Sequence, residues 1–144
     1  MLFRRLAFGV LLTITTPALA LAQSAETADP SLSLELNAVQ DAGEACRLTF
    51  LVNNETGLEI DKAVFETVIF DTTGGVVSLS LFNFRDLPAA RPRVRQFEVP
   101  DVACDTVGKV LINGANSCVV DGAESEICNK ALSLSSRLAV ELLG

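Results

Sequence analysis

Apolar and polar residues alternate along much of this chain. Leu32, Leu34 and Leu36 are separated by Ser31, Ser33, Glu35 and Asn37. A period of two puts all three leucines on one side of an extended segment and predicts a half-buried strand. Cys46, Leu48, Phe50 and Val52 repeat the pattern against Arg47, Thr49 and Asn53, with Leu51 as the exception, so Cys46 falls on the apolar side of a second strand. Asn53-Asn54-Glu55-Thr56-Gly57 is a turn cluster. Leu58 to Asp71 is rich in Val, Ile, Phe and Thr, which predicts a central strand with apolar residues on both faces. Asp71-Thr72-Thr73-Gly74-Gly75 turns the chain, and Val76 to Phe84 is apolar, with Val77, Leu79 and Leu81 alternating against Ser78 and Ser80.

Asp86 to Pro92 carries two prolines and reads as a loop, Arg93 to Val99 as a strand or edge segment, and Pro100-Asp101 as its break. Cys104 to Asn113 predicts another strand, ending at Asn113-Gly114, a strong tight-turn dipeptide. Ala115 to Lys130 looks irregular and carries two cysteines. Leu132, Leu134, Leu138, Val140 and Leu142 then stand opposite Ser133, Ser135, Arg137 and Glu141, an even-numbered series that fits a strand better than a helix. About seven short strands, frequent turn signals and little helical pattern predict an all-β fold, an immunoglobulin-like antiparallel β-sandwich. No internal repeat or low-complexity linker divides residues 31–144, which form one expected domain.

The start of the chain has a different pattern. Arg4 and Arg5 precede a short apolar run, Leu6 to Ile14, and both Ala18-Leu19-Ala20 and Ala20-Leu21-Ala22 have the small-x-small form of a cleavage site. The run is too short to span a bilayer, so residues 1–22 are expected to be a cleaved export signal. Cleavage near Ala22 leaves 122 of the 144 residues, with 23–30 a polar, flexible leader and the product periplasmic or secreted. Cys46, Cys104, Cys118 and Cys128 all lie in that remainder. In an oxidising compartment an even count predicts two disulfides. Four cysteines allow three pairings. Topology favours Cys46–Cys104, joining strands on facing sheets, and Cys118–Cys128, closing a small loop. No Cys-x-x-Cys spacing points to redox catalysis.

Composition excludes more than it supports. Loss of Arg4 and Arg5 lowers the basic count from 11 to 9 against 18 acids, a net charge near −9, which argues against nucleic-acid or anionic-membrane binding. There is no His, Trp or Tyr, and the one Met is the initiator. The usual proton shuttle, the commonest transition-metal ligand and the aromatic platforms of sugar sites are therefore missing. No later apolar run is long enough to span a membrane. No catalytic residue, metal ligand or cofactor is assigned.

The distinctive charged feature is Arg91, Arg93 and Arg95, a period-two row preceded by Arg85. Such a row can bind an anionic partner; the simpler account is an edge strand guarded by charge and by Pro92. Glu55, Glu59, Asp61, Glu66 and Asp71 lack the spacing of a calcium loop, and the acids between Asp121 and Glu126 suit a solvated loop better than a cation site. Ser133, Ser135 and Ser136 have no histidine partner and no Ser-x-x-Lys spacing to Lys62, Lys109 or Lys130. Asn54-Glu55-Thr56 matches a glycosylation sequon but reads as a turn.

Arg93-Val94-Arg95-Gln96-Phe97-Glu98-Val99-Pro100, followed by Cys104, Val110-Leu111-Ile112-Asn113, Cys118, Cys128 and Ser135-Ser136-Arg137, resembles a group of small exported alphaproteobacterial proteins often labelled "Tat pathway signal sequence domain protein". The resemblance covers nearly the whole mature chain. It implies an exported domain and supplies no activity. The leading expectation is a non-enzymatic module that binds or supports another envelope protein, through the arginine row or an exposed sheet edge. The alternatives are a carboxylate-based metal-binding or hydrolytic protein, and a self-assembling surface subunit that donates the segment through Leu36 to a neighbour.

Overall fold

Alternation translates directly into strands. The computed structural model describes residues 27–144; the expected export signal and the beginning of the leader lie outside them. Thr27 to Pro30 is exposed and has no regular structure. Nine strands follow: β1 (Ser31–Ala42), β2 (Ala45–Glu55), β3 (Ile60–Asp71), β4 (Val76–Leu87), β5 (Arg93–Pro100), β6 (Val107–Val120), β7 (Ala123–Glu124), β8 (Leu132–Ser136) and β9 (Glu141–Leu143). A single 3-10 turn, Cys104–Thr106, leads into β6, and one helical turn, α1 (Ile127–Lys130), precedes β8.

The strands form two layers. The first sheet has the order β5-β2-β1-β8 and the second β4-β3-β6-β7, with β9 also paired to β6. The β1–β2 hairpin, the crossing to β3, the return to β5 beside β2 and the crossing to β6 beside β3 are immunoglobulin-like connections. Pairing is antiparallel except where β8 runs parallel to β1 and β9 parallel to β6. The inward phase of each sheet builds the core: Leu32, Leu34 and Leu36 from β1; Leu48, Phe50 and Val52 from β2; Phe65 and Ile69 from β3; Phe82 and Phe84 from β4; Val110 and Ile112 from β6, all nearly or completely buried. Each such side chain contributes about 1.5–3 kcal/mol on leaving water.

Both expected disulfides form, Cys46–Cys104 and Cys118–Cys128, and no described cysteine is free. The first ties β2 to the turn entering β6 and so joins the two layers. The second ties β6 to α1. Two such bridges fit an extracellular or periplasmic protein. Among the described residues no helix is long and apolar enough to cross a membrane.

Two local expectations change. Asn113-Gly114 does not reverse the chain: β6 runs through it to Val120, keeping its pairing with β3 on both sides. Gly114, at φ 129°, lies at a register shift opposite Glu66, and a glycine there admits a bulge instead of a hairpin. Much of the segment expected to be irregular is thus strand. The closing apolar series is also split. Ser136 Oγ donates to the Val140 carbonyl at 2.6 Å and accepts from Leu138 N–H at 3.1 Å. This bend sends β8 into the first sheet and β9 into the second, and together with the short β7 it raises the count from about seven strands to nine.

Candidate functional site

The arginine row does not stand as one presented surface. Arg91 precedes β5, while Arg93 and Arg95 share a strand phase with Phe97 and Val99, the phase that turns toward the other layer. The Arg95 Nε donates to the Phe84 carbonyl at 2.6 Å and its Nη2 to the Asp86 carbonyl at 2.8 Å, with the Asp86 carboxylate 3.6 Å away. Its side chain is 14 % exposed. Partial burial lowers the Arg95 pKa and Asp86 opposes that shift, so the guanidinium stays charged. Arg95 therefore clamps the edge of the first sheet to β4 of the second. Arg95→Ala is expected to cost about 2 kcal/mol of stability, from charge-assisted hydrogen bonds left unmade. Arg95→Lys should recover only part, because an ammonium lacks the planar fork. Urea midpoints of the two variants check this.

Other candidates are occupied in holding turns. Asn54 is 1 % exposed. Its amide donates to the Leu58 and Leu87 carbonyls at 2.8 and 2.6 Å, and its oxygen accepts from Thr56. The sequon asparagine is thus a buried brace between the β2–β3 turn and the end of β4. Asn54→Ala is expected to cost about 2–3 kcal/mol by leaving buried carbonyls unpaired, readable as a drop in the thermal midpoint. The Asp71 carboxylate accepts from the hydroxyl and N–H of Thr73 and from Gly75 N–H at 2.7–2.9 Å. The Thr73 hydroxyl is the largest cause holding its carboxyl below the usual range. Glu124 accepts from Ser117 and from Cys118 N–H. Ser133 and Ser135 are exposed on β8, and Ser136 is committed to the bend after it. Among the described residues no group of three or more acidic or cysteine side chains converges as a metal site.

The unoccupied chemistry lies on β4. Seven large apolar residues are conspicuously exposed among those described, and four are here: Val76 at 60 %, Val77 at 45 %, Leu79 at 61 % and Leu81 at 54 %. The alternation is real, but its direction follows from what comes next. Phe82 and Phe84 occupy the opposite phase and are 4 % and 0 % exposed. One straight strand cannot bury both phases against one layer, and the larger aromatic rings take the core. Phe82 stacks on Phe97 with centroids 4.3 Å apart, and Phe84 packs edge-on to Phe50 and Phe65 at 5.4 and 5.6 Å. Ser78 and Ser80 share the inward phase, and Leu79 and Leu81 are left facing solvent.

The pairing register extends this apolar surface across the second sheet. Leu79 lies opposite Val68, Val68 opposite Leu111, and Leu111 opposite Leu143. A row of four aliphatic side chains thus crosses β4, β3, β6 and β9 on the outer face, exposed at its ends, Leu79 and Leu143, with Leu111 half-buried and Val68 buried between them. Above it, the Lys109 ammonium sits 5.4 Å over the Phe70 ring. Below it, Asn113 donates to the Glu66 carboxylate. Polar groups therefore rim the aliphatic row, as at interaction surfaces.

β4 is also the edge of its sheet, and of the described edges it is the least guarded. β7, β8 and β9 have two, five and three residues. β5 carries Arg93, Arg95, Glu98 and Pro100. β4 has twelve residues, and Val76 to Phe84 contains neither charge nor proline. Arg95 occupies carbonyls at Phe84 and Asp86, so the open stretch is Val76 to Phe82. An open cleft of ≈ 550 Å³ between Val77 and the Pro100–Thr106 segment adjoins it. Long, apolar, uncharged edges are where other strands pair.

No protein-family model, no curated protein and no solved structure matches the chain.

Proposed function

We propose that this protein is a non-catalytic binding module of the cell envelope, periplasmic or secreted after loss of its signal near Ala22, and that it meets its partner through the β4 edge and the aliphatic row beside it. One observation carries this: the row Leu79–Val68–Leu111–Leu143 lies on solvent-facing sheet next to a twelve-residue edge with no charge in its first nine positions. Such a surface is costly to leave wet and prone to unwanted pairing, which a protein tolerates where the surface is used. The two disulfides and the resemblance to small exported alphaproteobacterial proteins support the compartment.

The partner is expected to be protein, contributing an extended apolar segment. A photo-crosslinking residue at Leu79, compared with one at the outward-facing Gln96 of β5, tests it in cells of the native host. Adducts at Leu79 and none at Gln96 are expected. Adducts at Gln96 alone, or at neither position, contradict it.

A further inference from the structure

We infer that the occupant of the β4 edge is β4 of a second copy of this chain, paired antiparallel across a two-fold axis at Leu79. This dimer rests on the β4 edge being the contact surface and adds the identity of the partner. The open stretch runs from the Gly75 turn to the carbonyl of Phe84 that Arg95 occupies. Its seven residues, Val76 to Phe82, are centred on Leu79. An isologous contact requires a surface complementary to itself, and the residues on either side of Leu79 match in kind. Ser78 and Ser80 are equidistant on the inward phase, and beyond them Val77 and Leu81 are both apolar and exposed, Val77 at the register shift that opens the strand. A two-fold at Leu79 sets Ser78 against Ser80 of the second copy, Val77 against its Leu81, and Leu79 against its Leu79.

Charge points the same way. The chain carries a net charge of −7, so two copies repel over most of their surface. Val76 to Phe84 contributes nothing to that repulsion. Pairing also merges the two aliphatic rows into one that runs from Leu143 of one copy through both Leu79 side chains to Leu143 of the other. Standard interfaces bury about 800 Å² per partner. Seven residues of strand fall short of that, so the dimer is weak and concentration-dependent.

Sedimentation velocity of the mature, disulfide-intact protein from ~10 µM to ~1 mM tests the proposal, a range that brackets weak association. The wild type is expected to shift from monomer to dimer. Leu79→Lys, which sets two like charges face to face, should stay monomeric with an unchanged unfolding midpoint. Gln96→Lys, the same added charge on the outward phase of β5, should dimerise like the wild type. Leu79→Cys should form a covalent dimer on oxidation, because directly opposed Cβ atoms lie about 4.5–5.5 Å apart, while Val77→Cys, opposite Leu81, should not. A wild type monomeric throughout, a Leu79→Lys variant that dimerises equally, or equal covalent dimer from both cysteine variants overturns the two-fold pairing. Failure here leaves the binding module standing if Leu79 still crosslinks a different protein in cells. Monomeric protein with no Leu79 adduct brings down both.

Discussion

Replacing Cys46 and Cys104 together by alanine is expected to lower the unfolding free energy by about 4 kcal/mol, because the bridge closes a loop whose entropic contribution grows with the logarithm of its length. The two residues are 58 apart in sequence, while Cys118 and Cys128 are 10 apart. Removing the second pair should cost about 2–3 kcal/mol by the same relation. Topology adds to the difference. The long bridge ties β2 of one layer to the turn that enters β6 of the other, whereas the short one fastens α1 back to the nearby end of β6. Urea unfolding of each double-alanine variant, with the other bridge intact, checks the order. Equal losses, or a larger loss from the short loop, contradict it. Total stability for a domain of this size is about 5–15 kcal/mol, so loss of the long bridge should also show as reduced abundance in the oxidising compartment.

Phe84→Ala should be comparably severe, at about 3–5 kcal/mol, from the lost transfer energy plus the cavity left behind. Phe84 is fully buried and packs against Phe50, Phe65 and Phe97. It therefore joins β4 to β2, β3 and β5 at once. Phe84→Leu keeps most of the volume and should cost clearly less. The loss should not simply add to that of Arg95→Ala. Both residues hold β4 beside β5, and the Arg95 guanidinium bonds the carbonyl of Phe84 itself, so the double variant should show a coupling of about 0.5 kcal/mol or more. Strict additivity in thermal or chemical unfolding counts against a shared clamp. Loosening this corner also loosens the strand on which the proposed contact is built.

Most of the fold was legible because period-two alternation is a direct consequence of one buried face. It was clearest at Leu32–Leu36 and at Cys46–Val52, where apolar and polar residues separate cleanly. The crossing of the chain between sheets followed from strand order, and with it the preferred disulfide pairing. Four features were not legible. The phase of β4 was hidden because apolar residues occupy both phases, and only the competition between Phe82 and Phe84 on one side and Leu79 and Leu81 on the other decides which enters the core. Asn113-Gly114 carries turn chemistry, yet the long β3 offers continuous hydrogen bonding on both sides of it, and a bulge costs less than abandoning that ladder. The arginine spacing correctly placed Arg93 and Arg95 on one face of a strand. Spacing carries no information about the β4 carbonyls awaiting Arg95 across the sandwich. The aliphatic row was invisible for a related reason: Leu79, Val68, Leu111 and Leu143 are far apart in sequence and meet only through the register of four strands.

The account depends on β4 being the edge through which this molecule associates. Amide hydrogen exchange, followed residue by residue on the wild-type protein at low and high concentration, tests that most directly. Edge-facing amides between Val76 and Phe82 should exchange rapidly in dilute solution and gain protection at high concentration, while amides of β5 and β8 stay unchanged. Concentration-dependent protection that appears on β5 or β8 instead, or none anywhere when the protein is known to be associated, contradicts it.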